Sequence, residues 1–84
     1  MSNYDIQSWN SDLKVMLGWD PPLNTFFAHV IDTSKNEGEE GREVLWIGCT
    51  FNEIHDREKV VDAVTPYAEV SEEIYNQLYA DANT

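Results

Sequence analysis

The stretch Asp56-Arg57-Glu58-Lys59-Val60-Val61-Asp62-Ala63-Val64-Thr65-Pro66 decides the fold class, because the hydrophobic period changes there. Upstream of it apolar residues alternate; within and after it they recur at nearly four. Val60, Val61, Val64 and Ala68 stand at i, i+1, i+4 and i+8, which predicts a helix from about Asp56 to Val64. Pro66 ends it, having no N–H to continue the ladder. Ser71 then reads as an N-cap with Glu72 and Glu73 in the first turn. Ile74, Tyr75, Leu78, Tyr79 and Ala82 form an apolar stripe, so a second helix is expected to run to about Ala80.

Working outward toward the N-terminus, the pattern is that of strands. Tyr4, Ile6 and Ser8 share one face, and Asn10-Ser11-Asp12 reads as a turn. Leu13, Val15, Leu17 and Trp19 fall at period two. That gives a strand over 13–17, with a short helix capped by Ser11 or Asp12 as the competing reading. Asp20-Pro21-Pro22 stops either one. Thr25 to Ile31 and Val44 to Thr50 have the β-branched and aromatic enrichment of strands. Both are apolar on both faces, which suggests the centre of a sheet covered on each side. The polar segment between them, with Gly38 and Gly41, reads as a long hairpin loop that is flexible by composition. Strands first and helices second give an α+β fold: an antiparallel sheet of three or four strands followed by two C-terminal helices packed on one face. At 84 residues this is a single small domain, 1–84, with an acidic loop at about 33–43.

Charge is the strongest functional signal. Sixteen carboxylates stand against five basic side chains, a formal net charge of −11. Residues 32–43 carry −3, and residues 60–84 carry −5 with no Lys or Arg at all. Such a coat repels nucleic acid and anionic lipid and attracts cationic surfaces, so no direct nucleic-acid binding is expected. The hydrophobic fraction of 42% and aromatic fraction of 12% argue for a folded chain rather than a disordered acidic one. Cys49 is the sole cysteine, so an internal disulfide is excluded and a reducing compartment fits. The N-terminal segment lacks a basic region followed by an apolar run, and no stretch has the ~18 apolar residues of a membrane span. A cytoplasmic, membrane-independent protein is the resulting expectation.

Catalytic and metal readings are weak. Cys49 with His55, and His29 on the neighbouring strand, is the one arrangement that suggests a nucleophile. Yet the surrounding sequence is apolar before Cys49 and acidic after Thr50, and neither lowers a thiol pKa. A buried structural cysteine is the expectation. Glu53, Asp56, Glu58 and Asp62 lack the alternating spacing of a divalent-cation loop, and no paired Cys or His spacing suits zinc. No glycine stands in a phosphate loop. No cofactor, metal site or catalytic residue is therefore assigned.

Trp9, Trp19 and Trp46 are read as core residues. Trp19 is the weakest of them, because Gly18-Trp19-Asp20-Pro21-Pro22-Leu23 looks like an exposed turn able to offer an aromatic anchor. Asp56, Glu58, Glu72 and Glu73 suit helix N-termini, whereas Glu58 and Asp62 form a like-charge i, i+4 pair and Glu69 has no such excuse. The resulting expectation is a small non-enzymatic interaction or regulatory protein that binds a basic protein surface. Its contact candidates are Glu58, Asp62, Glu69, Glu72, Glu73, Glu37, Glu39, Glu40 and Trp19. The alternative is a nucleic-acid mimic whose carboxylates block a nucleic-acid-binding protein, since i, i+4 carboxylates lie about 6 Å apart and strand phosphates about 7 Å. An enzyme using Cys49 and His55 is the third reading.

Overall fold

A computed structural model describes residues 2–83; Met1 and Thr84, the ends of the expected domain span, lie outside the described residues. The chain forms a four-stranded antiparallel sheet followed by two helices, an α+β fold. The elements are β1 (Tyr4–Gln7), β2 (Leu13–Asp20), β3 (Thr25–Asp32), β4 (Glu43–Ile47), α1 (Arg57–Val64) and α2 (Glu72–Ala82). Sheet order follows chain order, β1-β2-β3-β4, so every connection in the sheet is a hairpin. Strand, not helix, therefore holds at residues 13–17, and β2 continues beyond them to Asp20.

Local chemistry accounts for the joints. In the first turn the Asn10 side chain accepts the Asp12 N–H at 2.9 Å, and the Ser8 hydroxyl accepts the Asn10 N–H at 3.1 Å. The second hairpin turns through Pro21–Asn24. Asn24 takes a φ of 51°, a left-handed conformation Asn tolerates, and donates its N–H to the Pro21 carbonyl at 3.1 Å. In the acidic loop, Arg42 donates to the Lys35 carbonyl at 2.5 Å, and the Asp32 carboxylate accepts both the N–H and the hydroxyl of Ser34. Asp56 caps α1 by accepting the Glu58 N–H, and Ser71 caps α2 by accepting the Ile74 N–H.

The core lies between one sheet face and both helices. Val15, Leu17 and Trp19 of β2 pair with Val30, Ala28 and Phe26 of β3, and all six are buried together with Val60, Val64 and Leu78 of the helices. Trp19 is thus no exposed anchor. It is only 8% accessible and meets Phe26 edge-to-face with ring centroids 4.9 Å apart. The period-two series from Leu13 outweighs the neighbouring prolines, which turn the chain only after Asp20. Conversely, Trp9 and Trp46, read as core, are 66% and 54% accessible. Trp9 lies in the turn beyond β1, and Trp46 points to the sheet face opposite the helices.

The expectation that β3 and β4 are covered on both sides also fails. β4 is an edge strand, and both helices pack on the same face. The reason is size. Four strands span roughly 19 Å and a helix is ~10 Å across, so two short helices cover one face and no more.

Candidate functional site

The face turned away from the helices follows from the register. Asp5, Met16, His29 and Trp46 form one row across all four strands, and Gln7, Lys14, Ile31 and Glu43 form the next. Gly18 and Phe27 lie beside them. A side chain at Gly18 would strike the Ser2 carbonyl at 2.1 Å, so glycine lets the N-terminal segment lie close against β2. Met16, Phe27, His29 and Ile31 are half-buried, and Trp46 is exposed.

At the middle of this face the Trp46 indole stacks on the His29 imidazole, centroids 4.5 Å apart and planes 25° from parallel. The His29 Nε2 is shielded from solvent and has no hydrogen-bond partner among the described residues. Shielding a polar atom in this way costs stability. The stack separates two clefts. One, of about 370 Å³, is lined by Met16, Leu23, Phe27, His29, Trp46 and Cys49. The other, of about 700 Å³, runs from His29, Ile31 and Trp46 to the carboxylates Glu37, Glu39, Glu40 and Glu43.

Cys49 is exposed, not buried. Gly48, at φ 79°, turns the chain out of β4 and carries Cys49 to the rim of the first cleft. His55 lines a different cleft, with Trp19, Phe26, Arg57 and Tyr75, so Cys49 and His55 share none of these clefts. Among the described residues no group of three or more His, Cys, Asp and Glu side chains is arranged to hold a metal ion. No helix among them is long and apolar enough to cross a membrane.

The acidic candidates divide. Glu37, Glu39 and Glu40 are exposed and line the cleft beside Trp46. Glu58, Asp62, Glu72 and Glu73 are exposed on the helices. Glu58 has a structural task, accepting the Tyr75 hydroxyl and so tying α1 to α2. Glu69 lines a fourth cleft with Asp5 and Trp9. Two of the five bases are directed at backbone rather than at these acids. Arg42 is held by the Lys35 carbonyl, and Arg57 donates to the Tyr75 carbonyl at 2.9 Å while lying 3.7 Å from the centre of the Tyr75 ring.

Three carboxyls are held below their ordinary values. Glu53 accepts the Gly48 N–H at 2.9 Å and both the hydroxyl and the N–H of Thr50. Asp32 is lowered by the Ser34 hydroxyl and N–H. For Asp81 partial burial is the largest single influence and pulls upward, but donors including Tyr4 and Gln77 together outweigh it. Groups depressed in the folded state add stability above their unfolded values, 4.5 for Glu and 3.8 for Asp, and lose it as pH falls through the lower folded values. Urea midpoints, taken in high salt to screen repulsion, should stay level from about pH 7 to 5 and drop below about pH 4. Glu53→Gln should shrink that drop; an unchanged acid limb would contradict the Glu53 assignment.

Sequence reasoning did not single out Met16, Phe27, Ile31 or Trp46 as surface residues. A signal for them existed: two strands apolar on both faces, with only two short helices to cover them. The chain matches no protein-family model, no curated protein and no solved structure.

Proposed function

We propose that this is a non-enzymatic interaction protein that binds a basic protein surface. The observation that carries the reading is the pairing of net charge with geometry. The charge is −11, the helix and loop carboxylates are solvent-exposed, and both arginines are engaged with backbone carbonyls. An unneutralised field of this kind speeds encounter with cationic partners and disfavours anionic ones. The separate clefts of Cys49 and His55 favour binding over nucleophilic catalysis.

The test is retention of proteins from the native cell on the immobilised chain at about 50 mM salt and again at about 500 mM, where exposed charges are screened beyond roughly 4 Å. Basic proteins should be retained at the lower salt and released at the higher. Retention of neutral or acidic proteins, unmoved by salt, would overturn the proposal.

A further inference from the structure

The open sheet face carries a more specific reading, which rests on the basic-partner proposal above. We infer that the His29–Trp46 stack is the centre of a two-part docking site for a protein segment whose apolar side chains are flanked by Lys or Arg. The two clefts it separates differ in chemistry. The smaller is walled by Met16, Phe27 and the indole, with a volume of about 370 Å³ that accommodates a leucine- or phenylalanine-sized side chain. The larger joins the other side of the same stack to Glu37, Glu39, Glu40 and Glu43. Arg42 also lines it, but its guanidinium is held by the Lys35 carbonyl. Lys14 sits two residues from Met16 on the same face, beside Gln7 and Ile31, and sets a cationic limit at that margin.

Charge complementarity selects the occupant. A second copy of this chain would carry the same net charge of −11, and its own loop glutamates would meet these. An apolar segment without charge would leave the acidic cleft unanswered. A cationic one gains the glutamates and the exposed face of Trp46, which attracts Lys or Arg through its π-electrons. Three features agree with a surface kept for contact. A large aromatic is left 54% accessible beside half-buried apolar neighbours, an imidazole nitrogen is shielded without a partner, and β4 ends the sheet with an edge that no described strand covers.

The experiment uses three capped eight-residue peptides. The first has two Leu among Lys residues, the second has Ser in place of Leu, and the third has Glu in place of Lys. Each is titrated into the ¹⁵N-labelled protein at low and high salt. The Lys–Leu peptide should shift the Trp46 indole N–H and the amides of Met16, Phe27 and Ile31, leaving the Trp9 and Trp19 indoles in place. It should bind about tenfold more tightly than the Lys–Ser peptide, as expected where one buried apolar anchor dominates, and the Glu–Leu peptide should not bind. Trp46→Ala should weaken binding about tenfold, and the double change Glu39→Lys with Glu40→Lys severalfold at low salt. All three positions are exposed, and folding of each variant is checked by its unchanged core amides.

Equal affinity of the Lys–Leu and Lys–Ser peptides would overturn this inference. So would shifts centred on α1 and α2, while either result leaves the basic-partner proposal standing. Concentration-dependent self-association through the same residues would overturn the inference in favour of a second copy. Failure of both Lys peptides to bind anywhere at low salt would sink both readings.

Discussion

Trp19→Ala will cost about 3–5 kcal/mol, the range for removing a large aromatic from a packed core. An 84-residue domain has about 4–13 kcal/mol of total stability, so this single change removes at least about a quarter of it. The loss has two physical parts. The indole lies on the buried sheet face with Val15 and Leu17, where the two helices close the core, and its removal opens a cavity there. It also removes the edge-to-face contact with Phe26, its partner across β2 and β3. The measurement is a urea titration followed by far-ultraviolet circular dichroism. A variant with the stability of the parent would show that Trp19 does not pack as described. Trp46→Ala, truncating a residue that is 54% accessible, should by contrast cost under about 1 kcal/mol, so the two tryptophans are told apart by stability alone.

Gly48→Ala should be damaging for a different reason. The backbone at Gly48 has a φ of 79°, where an L side chain costs about 1–2 kcal/mol. Added to this is collision: a Cβ at this position would lie 2.0 Å from the Phe26 carbonyl oxygen and 2.5 Å from the Phe27 Cα. Both obstacles are backbone atoms of β3, which cannot swing aside as a long side chain can. The total is about 3 kcal/mol or more, with overpacking strain supplying the rest. The same change displaces the Gly48 N–H that Glu53 accepts at 2.9 Å, and with it the turn that carries Cys49 to the cleft rim. Loss of the urea midpoint should therefore be accompanied by amide shifts at Thr50 and Glu53. An alanine variant as stable as the parent would mean that the chain leaves β4 by another route. Gly38→Ala is the control, since its φ of 80° carries the same intrinsic cost but nothing lies within 4 Å of the added carbon.

Much of this architecture is legible in the residues themselves. Period two from Leu13 and period nearly four from Val60 place strands and helices, and Asp56, Ser71 and Pro66 mark the helix ends within a residue or two. Helix α2 runs two residues beyond the expected Ala80, to Ala82. The failures share one cause. The anchor reading of Trp19 rests on its proline neighbours, whereas its cross-strand partner Phe26 decides its burial and the core reading holds. The buried reading of Cys49 rests on the apolar run before it, whereas β4 ends at Ile47, three residues short of the expected Thr50, and the left-handed turn at Gly48 takes Cys49 out of the sheet. Glu58 looked like an unexplained charge until α2 set Tyr75 against it.

Local pattern and total charge are properties of consecutive residues, and the sequence by itself determined them: the α+β order, the hairpin turns, the caps, and the net charge of −11. Which face of the sheet the helices cover is a long-range matter. It depends on two helices being wide enough for one side only, and on a register that aligns Met16, His29 and Trp46 from three different strands. Burial of Trp19, exposure of Trp46 and Cys49, and the placing of an apolar and an acidic cleft on either side of the His29–Trp46 stack all follow from that choice. Tertiary structure alone decided them, because each rests on contacts between residues that are distant in the chain.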